Sequence, residues 1–274
     1  MHRPVPRVAP DIESKGVDMT KDIQPRIHPN IAVILVIHVK TFVDREAHMR
    51  SELGRFGLHF EFVLDHDAVE ITPEIEARYF VPDCRLSRAE KSCCMKHLLA
   101  MRQVARLPEG QFGLVLEDDV VLADDFPAIL GKAVEEAAGL SGPRVIQVGC
   151  ANNLHVPKHL VKDGTYLYRA SQVRATDSYL IDPDSARRRI AFIEQHKMAL
   201  PADHLFNQVD TACGIPFYWL EPTVVEQGSM NGRFQSAICA KRSRRSRASQ
   251  YFHYHLKKFR TIVFDPVFRR NRKF

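Results

Sequence analysis

The sequence predicts an α/β fold with a mostly parallel central sheet flanked by helices, on three observations. Apolar runs of strand length alternate with helical patterns through about residue 150, the signature of strand–helix–strand units. Residues 31–39 form an apolar, β-branched run, as expected of a strand covered on both faces. The triplet Glu117, Asp118 and Asp119 stands between apolar runs at 112–116 and 120–122, so it lies at or just past a buried strand's end. In such sheets ligands bind beyond the carboxyl ends of strands.

The elements follow in order. Residues 31–39 are the first strand, 44–56 a helix and 59–64 a second strand, and Pro73 opens a short helix. Ser87 caps the next helix, with Glu90 three positions on completing a capping box. That helix passes through Cys93, Cys94, His97, Leu98 and Met101 to about Arg106, and Pro108-Glu109-Gly110 ends the connection. Residues 111–116 lead as a strand into the acidic triplet. Asp124 or Asp125 then caps a helix to about Ala138, and 144–149 is a further strand. An irregular stretch with Asn152, Asn153 and Pro157 precedes strands at 165–169 and 175–181. Pro183 starts a helix to about His196, Pro201 starts another, and 215–220 is a strand. Three segments result: a weakly ordered leader over 1–29, a main domain over 30–240 and a basic, aromatic tail over 241–274.

Composition narrows the function classes. A chain of 274 residues with 45% apolar content can bury a substantial core. Its longest apolar run, 31–37, falls short of the ~20 residues needed to cross a bilayer. The polar start with Pro4, Pro6 and Pro10 lacks the hydrophobic stretch of a secretory signal, so a cytoplasmic protein is expected. The six cysteines show no CxxC spacing, which argues against a zinc or disulfide scaffold, and Cys93 and Cys94 read as buried helical thiols. Charge is unevenly placed. Residues 241–274 hold 12 of the 39 Lys/Arg and one of the 33 acids, a net of +11, which leaves the body at −5.

Three consecutive acids disfavour one another's ionised forms. A divalent cation would relieve that cost, because hard cations prefer carboxylate oxygens. A solvated acidic turn is the competing reading. Several ordered blocks shift the balance towards a metal site: the first strand followed by Arg45; Leu86-Ser87-Arg88-Ala89-Glu90 with His97; Leu116 to Val120 with Asp125-Phe126; Thr176 to Ile181 with Ala186, then Pro201-Ala202-Asp203; and Glu221 to Gln227 with Ser236-Ala237-Ile238. Together these blocks resemble glycosyltransferase family 25, the lipopolysaccharide and lipooligosaccharide biosynthesis transferases, over residues 31 to about 238. Two positions depart from the family pattern. Ala89 replaces its Gly and Lys96 its Ser, while Glu90 and His97 stay in place.

The resemblance implies a GT-A-like, Rossmann-type fold, a UDP-galactose or UDP-glucose donor and inversion at the anomeric carbon. The acceptor it implies is a lipid-linked core saccharide. Transfer from a nucleoside diphosphate needs charge neutralised on the departing group. Asp119 is the expected direct ligand of Mn²⁺ or Mg²⁺, with Glu117 on the ribose or a metal-bound water and Asp118 directed away from both. Sulfur and imidazole ligands are not evidently grouped. Asp203, in the family's P-x-D position, is the candidate base for the acceptor hydroxyl; it is also an ordinary helix-start residue. Arg45 either contacts the diphosphate or follows a strand in solvent. Glu90 and His97 are substrate candidates, against a capping role for the first and a core role for the second. Asp177 is a candidate for acceptor or metal, and Gln227 for sugar hydroxyls.

Aromatics interleave with bases from Lys241 to Arg260, a composition that suits an anionic membrane surface. Peripheral attachment to the cytoplasmic face of the inner membrane is one expectation, and a solvated tail the other. A nucleic-acid-binding role would use the same arginines but leaves the acidic body unexplained, so no nucleic-acid partner is expected. A degenerate transferase that binds donor without turnover is the other alternative.

Overall fold

Strand β1 (Ile31–Ile37) sends alternate residues to opposite faces, Leu35 and Ile37 to one and Ile34 and Val36 to the other, so it lies inside a sheet covered on both sides. In this computed structural model the described residues are 26–151, 153–231, 233–234, 249, 251–252, 254–257 and 259. The leader up to residue 25, the Ser236-Ala237-Ile238 block, Cys239 and most of the tail fall outside them.

Seven strands make the central sheet: β1, β2 (Glu61–Val63), β3 (Phe112–Glu117), β5 (Val145–Gln147), β6 (Leu167–Ala170), β7 (Ser178–Ile181) and β8 (Phe217–Leu220). Their order is β2-β1-β3-β7-β5-β8-β6. β1 runs parallel to β2 and β3, and β5 parallel to β8. β7 is antiparallel to both β3 and β5, and β6 to β8. The sheet is therefore mostly parallel, with β6 and β7 reversed. Among the described residues, no helix long enough for a crossover separates β5 from β7, and a parallel return needs one. A small second sheet pairs β4 (Val120–Leu122) antiparallel with β9 (Val225–Gln227).

Helices α2 (Pro73–Tyr79), α3 (Arg88–Val104), α5 (Pro183–His196) and α6 (Ala202–Ala212) pack on one face through Tyr79, Met95, Leu98, Ile193 and Phe206. Helices α1 (Val43–Gly54) and α4 (Phe126–Ala138) cover the other through Met49, Leu53, Leu130 and Val134. Each such fully buried side chain contributes about 1.5–3 kcal/mol of transfer free energy. Several strands are shorter than the sequence suggests: 59–64 narrows to Glu61–Val63 and 175–181 to Ser178–Ile181. Irregular backbone at their ends carries side chains of the site. Among the described residues, no helix is long and apolar enough to cross a membrane.

Two buried charges fix the frame. Arg189 on α5 donates to both carboxylate oxygens of Asp210 on α6, at 2.7 and 2.6 Å. Lys96 on α3 pairs with Asp67 at 2.9 Å and donates to the carbonyls of Leu64 (2.6 Å) and Asp65 (3.2 Å), tying the segment after β2 to that helix. Lys96, where the family pattern has Ser, thus has a structural task.

Candidate functional site

The acidic triplet sits where β3 ends and β4 begins, and its three side chains take three different partners. Glu117 is the last residue of β3. The β4–β9 pairing sets Val120 opposite Gln227, so the Gln227 amide comes back over the strand end and donates to Glu117 Oε2 at 2.8 Å. The Thr176 hydroxyl donates to Glu117 Oε1 at 3.3 Å. Asp118 points to the β1 side. It accepts from His38 Nδ1 (2.9 Å), the Val39 amide (3.3 Å) and Arg45 (2.6 Å). Burial alone would raise its carboxyl, but His38 and Arg45 outweigh that and hold it below the usual range.

Asp119 turns inward. Beyond β9 the chain enters a short turn of helix, Gly228–Asn231, and the Ser229 amide donates to Asp119 Oδ2 at 3.1 Å. Gly228 is obligatory here, since an added Cβ would stand 2.6 Å from the Asp119 carbonyl oxygen. Among the described residues, the buried Asp119 Oδ1 has no hydrogen-bond partner. Burial, then the neighbouring Glu117 charge, pushes this carboxyl up to about 6.

Asp177 joins the group from the residue before β7, where its carbonyl accepts the Glu117 amide at 2.8 Å. Its side chain is 1% exposed, and Asp177 Oδ2 accepts from the Ser178 hydroxyl at 2.9 Å. Gly149 leaves the room it needs: a Cβ there would lie 2.3 Å from both Asp177 Oδ2 and Ser178 Oγ. Burial first, then Glu117, raises Asp177 to about 7. Glu117, Asp119 and Asp177 thus form one mutually repelling cluster of oxygen donors. A carboxylate oxygen is the kind of donor that hard divalent cations prefer.

On its other side Glu117 faces α3, which corrects the expectation that sulfur and imidazole ligands are not grouped. Cys93 and His97, one helical turn apart, reach the same carboxylate, with ligand atoms of all three within 4.8 Å of one another. Helix periodicity set the i,i+4 pair, and only the approach of α3 to β3 could supply the third member.

The remaining candidates separate. Arg45 is not loose in solvent: it is paired with Asp118 and stacked near Phe42 and Phe234. Glu90 is committed to the capping box, accepting from the Ser87 amide at 2.8 Å. His97 is fully buried, its Nδ1 3.0 Å from the Tyr179 hydroxyl. Asp203 is exposed in the first turn of α6, accepting its neighbour His204's amide at 2.9 Å, and its charge is felt by the Cys93 and Cys94 thiols. Sequence reasoning passed over His38, Thr176 and Ser229, which hold the three acids through contacts distant in the chain. It also missed Tyr254, which is buried near Glu226, Cys150 and Asp177.

Comparison with known proteins adds the following. The family described as glycosyltransferase family 25 (LPS biosynthesis protein) matches residues 31–206. A curated relative is the lacto-N-neotetraose biosynthesis glycosyltransferase LgtB of Neisseria meningitidis serogroup B. It is 30% identical over 106 residues, which cover 35% of this chain and 36% of the relative. The chain therefore spans about a third of that relative's length. Among solved structures, a Bacillus anthracis protein described as a glucose-1-phosphate thymidylyltransferase, in complex with sucrose, aligns at TM-score 0.36 and 12% identity over 79% of this chain and 75% of its own. The inositol-1-phosphate CTP transferase from T. maritima aligns at TM-score 0.36 and 8% identity over 84% and 78%.

Proposed function

The chain belongs to glycosyltransferase family 25, and on that premise we propose that it moves a hexose, galactose or glucose, from a UDP-sugar to a core saccharide of lipopolysaccharide or lipooligosaccharide, with inversion. One observation carries the reading: the end of β3 holds Glu117, Asp119 and Asp177 together, with the buried Asp119 Oδ1 left without a partner among the described residues. The Arg45 charge and the Ser229 and Ser178 hydrogen bonds offset that repulsion only in part, whereas a cation would offset more of it.

Asp119, with Glu117 and Asp177, would hold Mn²⁺ or Mg²⁺. When bound, such a cation supplies neutralisation of the charge that grows on the departing diphosphate. The chain's own residues do the rest. Arg45 and Asp118 brace the loop after β1 against the acidic turn, forming the wall beside which the nucleotide lies. Gln227 and Thr176 fix the Glu117 rotamer. Asp203, exposed near Cys93, takes the proton of the acceptor hydroxyl while the anomeric carbon is attacked from the face opposite the diphosphate. The acceptor is a lipid-linked saccharide at a cytoplasmic membrane face.

Thermal melting against a panel of nucleotide sugars, with and without Mn²⁺, tests this. A UDP-hexose with Mn²⁺ at about 100 times its Kd contributes about 2.7 kcal/mol, a rise of about 5–10 °C for a domain of this size. Asp119→Asn should abolish the rise while folding normally, since its amide oxygen still accepts the Ser229 amide. A wild-type shift in that variant, or no shift with any UDP-sugar, refutes the reading.

A further inference from the structure

We propose that Cys93, His97 and Glu117 form a second cation site, sharing Glu117 with the acid cluster and selective for a borderline-soft divalent ion of the zinc class. The ligand atoms are the Cys93 Sγ, the His97 Nε2 and the Glu117 Oε1. All lie within 4.8 Å of one another, on two elements that the core clamps together. The His97 Nε2 to Glu117 Oε1 distance is 3.7 Å, near the ~3.4 Å edge of a tetrahedron built on ordinary Zn–N and Zn–O bonds.

The independent observation is His97 itself. Its side chain is fully buried, and among the described residues its Nε2 has no hydrogen-bond partner. A ring nitrogen shut away from water without a partner costs about 1–3 kcal/mol. Here it is aimed at a carboxylate too distant to accept from it. The other nitrogen is 3.0 Å from the Tyr179 hydroxyl. With Nδ1 donating to that oxygen, Nε2 carries the lone pair, the outer-shell arrangement that orients ligating histidines. Thr176 and Gln227 do the same for Glu117.

Donor chemistry separates this site from the acid cluster. Thiolate and imidazole select zinc over manganese or magnesium, which the oxygen-only group prefers. On binding, the Cys93 S–H bond breaks, its proton goes to solvent and the sulfur lone pair forms the metal bond. Cys93 and Glu117 are partly exposed, which gives a route in. Three protein ligands leave the fourth position open to an exchangeable group. The inference goes beyond the transferase reading and does not depend on it, because its test uses no sugar donor.

The test titrates the metal-free full chain with Co²⁺, then with Zn²⁺ against a colorimetric chelator. We expect a near-ultraviolet sulfur-to-cobalt absorption band at one equivalent, displaced by Zn²⁺. Cys93→Ser should lose the band and weaken Zn²⁺ binding at least tenfold, while Cys94→Ser keeps both. Tyr179→Phe should retain the band and weaken affinity by about 10–100-fold. Absence of the band in wild type, or its persistence in Cys93→Ser, overturns the proposal, as does unaltered Zn²⁺ affinity in both Cys93→Ser and Tyr179→Phe.

Discussion

At the scale of single residues, Asp119 and Asp177 are set against folding once ionised, whereas Asp118 is not. Burial first and Glu117 second raise Asp177 to about 7 and Asp119 to about 6. Their unfolded values lie near 3.9. A carboxyl raised on folding favours the folded state while protonated. Its contribution is complete below about pH 4 and is lost as pH climbs through 6 to 7, since the folded chain binds more protons over that interval. Each pH step within it is worth up to about 1.4 kcal/mol per group. Buried His48, lowered by desolvation, works in the opposite direction over part of the range, so the informative quantity is a difference between proteins. We expect Asp177→Asn to gain melting temperature relative to wild type as pH rises from 5 to 8 in metal-free buffer. If the acids hold a cation as proposed, Mn²⁺ should shrink that difference by binding their ionised forms. Parallel melting curves for the two proteins across this range would remove the argument for a strained acid cluster.

At the scale of elements, what the sequence makes legible is what periodicity and capping encode. α3 begins at the capping box that Ser87 and Glu90 announce, and β1 and β3 fall where apolar runs demand covered strands. β4 and β9 were not foreseen, because three-residue strands such as Val225–Gln227 carry no period to detect. Yet their pairing brings Gln227 to Glu117, and the turn after β9 brings Ser229 to Asp119. The acid triplet and Asp177 were legible as candidates; that Asp177 lies against Glu117, and that Cys93 faces it from the other side, was not, because both depend on strand order and on which face of α3 meets β3. Lys96 shows the same boundary. Its identity marks a departure from the family, but its task appears only where α3 crosses the segment after β2. Removing the ammonium leaves Asp67 buried and unpaired, a loss of about 3–5 kcal/mol. Urea unfolding of Lys96→Met should show a matching fall in midpoint, and adding Asp67→Asn should recover part of it. Full additivity of the two substitutions would mean that the pair does not couple these elements.

At the scale of the whole molecule, charge and exposed apolar surface converge on the far end of the chain. Residues 249, 251–252, 254–257 and 259 are helical, with Tyr254 turned inward at 5% exposure. Phe252, Leu256 and Phe259, spaced i, i+4, i+7, are 66%, 39% and 56% exposed, an apolar stripe opposite Tyr254. Lys257, Lys258 and Arg260 flank the stripe in sequence, and Lys241 to Arg247 adds five more bases. Such a helix can lie at a bilayer surface, with aromatics among the acyl chains and each nearby base contributing about 1 kcal/mol with anionic headgroups. A transferase acting on lipid-linked saccharide gains from being held where its acceptor is presented. Deleting the segment would also strip Tyr254 from the neighbourhood of Asp177, so substitutions on the exposed stripe are the sharper probe. The intact protein should float with vesicles rich in anionic lipid at low salt, and be released as salt screens the charge. Phe252→Ser with Phe259→Ser should weaken that binding about tenfold or more, while leaving melting temperature and UDP-sugar binding unchanged. Equal flotation of this variant and wild type would return the segment to the role of a solvated tail, as would wild-type flotation with neutral vesicles to the same extent.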